Sequence, residues 1–178
     1  MQDTLPIHFA PLQGYTEAIY RNAHDAFFGG VDTYYTPFVR LEKGNFRRRD
    51  VRGIEPENNG VTHLIPQLIA SSAEKAEVIL SLFIEKGYQE VDINLGCPFP
   101  LLAKRHNGSG ILPYPEEVKA LLSIVTRYPQ ISFSVKMRLG WEQPDECLAL
   151  APILNDLPLR QITMHPRLGK QGYKGEVD

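Results

Sequence analysis

Hydrophobic and polar positions alternate along this chain in a recurring order, a short strand-like run followed by a helix-like run. Strand-like runs begin near Ile7, Tyr34, Leu64, Val91, Ser132 and Gln161. They lie roughly 27 to 41 residues apart, the size of a βα unit. Ile19, Ala23 and Phe27 give the first helix an apolar stripe. Ser71 with Glu74 forms a capping box, Ala73, Ala76, Leu80 and Phe83 form the stripe behind it, and Gly87 suits the stop. Pro115, Glu116 and Glu117 open a further helix that carries Val118, Leu121, Leu122 and Val125 and ends before Pro129. The last helix is weaker, because Pro152 interrupts it.

Strands alternating with helices predict a parallel α/β sheet, either open and doubly wound or closed as a barrel. The strands decide between the two. Central strands of a doubly wound sheet are covered on both faces and read as continuous apolar runs. Here Val91, Ile93 and Leu95 oppose Asp92 and Asn94. Phe133, Val135 and Met137 oppose Ser132, Ser134, Lys136 and Arg138. Ile162 and Met164 oppose Gln161, Thr163 and His165. The apolar face suits an outer ring of helices, so the polar face points toward a barrel axis. Such groups cost several kcal/mol each when buried unpaired, so a polar or anionic ligand should meet them at the strands' carboxyl ends, where barrel active sites lie. The fold expected is a (β/α)8 TIM-type barrel with about six βα units in this chain. Residues 1–178 then form one catalytic barrel domain that is incomplete, since eight strands usually take about 250 residues.

Composition changes this picture little. The chain is 43% hydrophobic and 22% charged, an ordinary globular profile. No window holds the roughly 18 continuous apolar residues of a membrane helix, and Met1 to Ala10 lacks the features of a signal peptide. Two Cys make no disulfide framework, so a reducing cytoplasm is the expected location. No metal site is expected. The net charge of −2 lends a nucleic-acid partner no support.

Five motifs then change the reading. Ala10-Pro11-Leu12-Gln13-Gly14-Tyr15-Thr16, Gln67 in Pro66-Gln67-Leu68, and Asp92-Ile93-Asn94-Leu95-Gly96-Cys97-Pro98 come first. Ser134-Val135-Lys136-Met137-Arg138-Leu139-Gly140-Trp141 and His165-Pro166-Arg167 with Gln171-Gly172-Tyr173 follow. In this order, and at strand carboxyl ends, they resemble the motifs of the tRNA-dihydrouridine synthase family. Leu12 stands where that family usually has Met, a volume-conserving exchange. Gly108-Ser109-Gly110-Ile111-Leu112 is one Gly short of the family's commonest loop, which weakens the expectation that it touches substrate. The family's last two barrel strands and its C-terminal helical domain have no counterpart here.

The resemblance implies FMN as cofactor, NADPH as electron donor and tRNA as substrate. A uridine is flipped from its stack and reduced by hydride transfer from the flavin to C6 and protonation at C5. Cys97 matches the proton donor, and a thiol of ordinary pKa near 8.5 is protonated at neutral pH. Cys usually reads as a small buried hydrophobe; the Gly-Cys-Pro turn argues against that for Cys97, whereas Cys147 keeps it. Lys136 is implied beside the flavin, where a cation stabilises the reduced ring; its ordinary alternative is a pair with Asp92. Gln67, His165 and the backbone of Ala10, Pro11 and Leu12 complete the flavin contacts. Asn94, whose amide could read the imide edge of uracil, joins Arg138 and Arg167 as substrate contacts. Arg47-Arg48-Arg49 with Arg52, and Lys104-Arg105-His106, are candidate phosphate contacts, although most charge runs are solvated surface.

Two alternatives stand beside this reading. One is another flavin barrel resembling dihydroorotate dehydrogenases, the other an inactive fragment or scaffold without flavin. For the chain by itself, an open barrel edge is expected to give weak FMN binding and self-association.

Overall fold

The structure, a computed structural model, describes residues 5–178; the part of the signal-peptide reading that rests on residues 1–4 lies outside them. The elements in order are β1 (His8–Phe9), α1 (Ala18–Phe27), β2 (Thr33–Tyr35), β3 (Leu41–Glu42), β4 (Asn45–Phe46), α2 (Arg48–Ile54), β5 (Leu64–Ile65), β6 (Gln67–Leu68) and α3 (Ala73–Glu85). There follow β7 (Glu90–Leu95), α4 (Pro100–Ala103), α5 (Pro115–Leu122), α6 (Ile124–Arg127), β8 (Ser132–Arg138), α7 (Glu146–Asn155) and β9 (Leu159–His165). Every expected strand is present. All run parallel, apart from an antiparallel hairpin of β3 and β4 that the hydrophobic pattern did not predict.

The third expected strand is split at Pro66, which has no N–H to give the ladder. Its first half, β5, pairs with β2, and its second half, β6, pairs with β7. Val39 bridges Leu68 and rejoins the two sheets. The strands run in the order β1-β2-β5 and β6-β7-β8-β9. This is an α/β partial barrel of TIM type that is not closed, with β1 and β9 each paired on one side among the described residues.

Strand alternation places the core where expected for β7 and β8. Val91, Ile93, Leu95, Phe133, Val135 and Met137 pack with Ala76, Leu80 and Phe83 of α3 and with Val118, Leu121 and Leu122 of α5. Each such side chain contributes about 1.5–3 kcal/mol by leaving water. β9 differs. Ile162 and Met164 are 42% and 40% exposed, because no described helix covers their face.

Four helix readings need correction. The run from Pro115 forms two helices, α5 and α6, divided at Ser123, and α7 continues through Pro152. The Ile19–Ala23–Phe27 stripe of α1 is exposed, with Phe27 84% accessible. The helix is instead anchored by buried Arg21, which donates to the Thr16 and Gly53 carbonyls and to Asn59 Oδ1, and by His24 against Phe9 and Tyr34. The α3 cap is Ser72, whose hydroxyl accepts from the Lys75 N–H at 3.5 Å. Ser71 accepts from Lys75 Nζ. The stop is as read. The Gly87 N–H donates to the Ile84 carbonyl and the Tyr88 N–H to that of Phe83, the six-to-one and five-to-two pattern of a Schellman ending. No described helix is long and apolar enough to cross a membrane.

Candidate active site

A cavity of about 890 Å³ opens at the carboxyl ends of the strands. Ala10, Pro11, Leu12, Gln67, Asn94, Cys97, Lys136, Arg138 and His165 all line it. Their convergence from separate strands is fixed by register. Gln67 pairs with Asp92, Asp92 with Ser134, Asn94 with Lys136, and Arg138 with His165, so each polar layer crosses from strand to strand.

One hydrogen-bonded chain runs through those layers. Buried Asp92 accepts from Ser134 Oγ at 2.5 Å and from Gln67 Nε2 at 2.6 Å. Gln67 Oε1 accepts from Asn94 Nδ2 at 2.7 Å, and Asn94 Oδ1 accepts from the backbone N–H groups of Gly96 and Cys97 at 3.0 and 2.8 Å. Asn94 thus holds the turn that carries Cys97: its carbonyl serves two backbone donors of that turn, and one amide N–H remains unused at the cavity wall.

The far side of that turn is held as well. The Cys97 carbonyl accepts from the Ser109 N–H and Oγ, at 3.0 and 2.9 Å. A Cβ at Gly108 would stand 2.6 Å from the Cys97 carbonyl oxygen, so only Gly allows this approach. The 108–112 loop is therefore buried scaffold beneath Cys97 and is not presented to a substrate. Burial pushes the Cys97 thiol up, more than the Phe99 backbone and the Arg138 and Arg40 charges pull it down. It stays protonated at neutral pH.

Arg138 is 2% exposed. Its Nε donates to the Gly96 carbonyl at 2.8 Å, and its Nη1 to those of Leu168 and Gly172 at 3.0 and 2.8 Å. Its guanidinium carbon lies 5.5 Å from the centre of the Tyr173 ring. Most of its fork is thus committed to the protein itself. Gly169 of the same loop is buried against Trp141 and Ser109, where a Cβ would meet the indole at 2.2 Å, so the loop after His165 packs directly on the Gly-Trp motif. Arg167 Nε donates to the Gly175 carbonyl, and Arg167 is not among the residues that line the cavity.

Two groups in the cavity are left without partners. Lys136 Nζ makes no ion pair or hydrogen bond among the described residues, while Asp92 accepts from Gln67 and Ser134. Burial lowers its pKa, with Asp92 opposing. His165 Nδ1 is buried and unpartnered, and burial, with help from Arg138, Lys136 and Arg167, lowers its pKa and keeps the ring neutral. Above them the 10–16 turn is closed by Thr16, whose Oγ1 accepts from the Leu12 N–H at 2.9 Å.

The motifs did not single out Gln13, Phe38, Arg40 or Arg47, which also line the cavity. Gln13 carries both amide atoms buried without partners. Its place inside the first motif was the available signal. Of the first basic run, Arg47 reaches the cavity and Arg49 pairs with Glu17 and Asp50, while Arg48 and Arg52 are exposed on α2. Cys147 packs half-buried against the core and donates to the Pro144 carbonyl. Among the described residues no cluster of His, Cys, Asp and Glu could hold a metal ion.

Burial dominates Asp92 and pushes its pKa from 3.8 up to about 6. The folded state therefore holds this proton more tightly than the unfolded chain. The stability it contributes is complete below about pH 4 and is lost as pH rises through about 6, on the order of 2–3 kcal/mol. Asp92→Asn keeps an acceptor for Gln67 and cannot ionise. Thermal melts from pH 4 to 7 should show this decline in wild type and a flatter profile in the variant; equal slopes would show that Asp92 is ionised throughout.

Residues 8–178 match the family described as "Dihydrouridine synthase (Dus)". The chain is 29% identical over 175 residues to the probable tRNA-dihydrouridine synthase 1 of Synechocystis sp., covering 94% of this chain and 47% of that protein. It is 28% identical over 180 residues to the tRNA-dihydrouridine(16) synthase of Haemophilus ducreyi, covering 96% and 54%. Over 114 residues it is 32% identical to the tRNA-dihydrouridine synthase B of Vibrio cholerae, covering 64% and 33%. The chain spans about half the length of the first and second of these proteins.

Proposed function

Because the chain belongs to the dihydrouridine synthase family, we propose that it is the catalytic barrel portion of an FMN-dependent enzyme that reduces uridine to 5,6-dihydrouridine in tRNA, with NADPH as electron donor. The observation that carries this reading is a protonated thiol facing an unpaired ammonium and an unpartnered imidazole nitrogen across one cavity. Polar atoms left alone in a protein interior cost about 1–3 kcal/mol each, so the site suits a ligand that answers them. A flavin fits that demand. Lys136 Nζ and His165 Nδ1 would hold its polar groups, and the chain at Ala10, Pro11 and Leu12 would supply an apolar wall.

When bound, reduced flavin supplies the hydride that adds at C6 of uracil. The residues of this chain do the rest. Lys136 would stabilise the negative charge of the reduced ring. Gln67, already fixed by Asp92 and Asn94, has one N–H and one lone pair left for the cofactor. Cys97 Sγ–H gives its proton to C5, which needs a thiol that is not ionised. The family match favours this reading over one resembling dihydroorotate dehydrogenases.

The test is to purify the full-length protein, record its flavin spectrum, and measure dihydrouridine formed in unmodified tRNA with NADPH. A yellow protein that forms dihydrouridine is expected; a colourless, inactive one would support the scaffold alternative. Lys136→Met should weaken FMN binding about 10- to 100-fold, as expected for a lost charge-assisted contact, and lower the flavin's reduction potential. An unchanged potential would remove Lys136 from the cofactor.

A further inference from the structure

A second pocket, of about 350 Å³, lies beside the main cavity between the β3–β4 hairpin, the start of α3 and the turn after α4. Four cations line it, Arg40, Lys43, Lys75 and Arg105, against the single carboxylate of Glu42. Glu42 is shared, 3.3 Å from Arg40 and 4.0 Å from Arg47. Lys43, Lys75 and Arg105 have no ion pair among the described residues. In a chain of net charge −2, this is a local excess of positive charge set in a concave surface.

A cationic patch alone is usually solvated surface. Backbone conformation argues otherwise here. Among the described residues, only two non-glycine positions have positive φ, Lys43 at 51° and His106 at 52°; Lys43 lines this pocket, and His106 lies in the turn that carries two of its lining residues. Lys43 occupies a tight hairpin turn at a position that Asn, Asp or Gly would fill at less cost. His106 sits between Arg105 and Asn107, both of which line the pocket, and is held by stacking on Tyr114 at 4.1 Å and by Glu117 at 2.7 Å. Left-handed backbone is common enough at His but unusual at Lys, and it persists at Lys43 only because the surrounding turn holds it. Arg40 lines this pocket and the main cavity alike, and its Nε is buried without a partner.

We propose that this pocket holds a phosphodiester group of the RNA strand whose base enters the main cavity, with Arg40 shared between the two. The inference rests on the reading of the main cavity as a uridine site. It gives that site a second point of attachment, so that the strand is registered by its backbone while the base is held out of its stack. A dinucleotide offers phosphates of the same chemistry, and kinetics separate the two sources.

Lys43→Gly and Arg105→Ala, made in the flavin-loaded full-length protein, test it. Lys43→Gly removes the cation and relaxes the turn together, so its melting temperature should hold or rise while tRNA affinity falls. A purely structural Lys43 could not give that combination. For each variant the plot of log affinity against log salt should become shallower by about one unit, and KM for tRNA should rise while KM for NADPH stays fixed. Unchanged salt slopes, or a rise confined to KM for NADPH, would overturn the phosphodiester assignment and leave the reading of the main cavity intact. A wild-type protein with no salt-dependent affinity for tRNA would overturn that reading, and this pocket's role with it.

Discussion

Cys97→Ala is expected to lower dihydrouridine formation by about 10²–10⁴-fold, the usual contribution of a positioned general acid, while FMN binding and flavin reduction by NADPH continue. Its backbone is fixed on both sides, by Asn94 at the N–H and by Ser109 at the carbonyl, so the Ala variant keeps the turn and loses only the thiol. Burial raises the thiol's pKa, and the wild-type rate should therefore fall only at alkaline pH, as the acid ionises. Single-turnover measurement of dihydrouridine from pre-reduced enzyme separates this step from flavin reduction. Full activity in the variant would reject Cys97 as the acid. Cys147→Ala, remote from the cavity, should leave the same assay nearly unchanged.

Arg138→Ala should destabilise the protein by about 3–5 kcal/mol, a melting point lower by on the order of 10 °C. Three backbone carbonyls, of Gly96, Leu168 and Gly172, would lose their donors together. Arg138→Lys should rescue little of this, because one ammonium cannot replace a planar fork that reaches separate segments. An Arg that served substrate alone would leave the melting point unchanged, and thermal unfolding without tRNA distinguishes the two roles.

Strand alternation made most of the fold legible. The opposition of Val91, Ile93 and Leu95 to Asp92 and Asn94 is a local, period-two signal, and the polar interior followed from it. The family motifs brought Cys97, Lys136 and His165 to one cavity. What could not be read depends on distant partners. The α1 stripe misled because the helix is anchored through Arg21 to carbonyls at Thr16 and Gly53, and a sequence does not show an Arg its acceptors. Nothing local to Asn94 reveals that Gln67 and the next turn already engage its amide. The β3–β4 hairpin has strands of two residues, too short for any periodicity, and its turn uses Lys where Asn would have marked it.

The series Ser134–Asp92–Gln67–Asn94–Cys97 has a consequence for how this protein tolerates change. Because each group uses its neighbour's lone pair or proton, the effects of substituting two of them will not sum. The first break carries most of the loss, and a second adds little. Neutral routes between sequences at these positions must therefore run through compensated pairs, and the four polar side chains from three strands vary, or persist, as a single heritable unit.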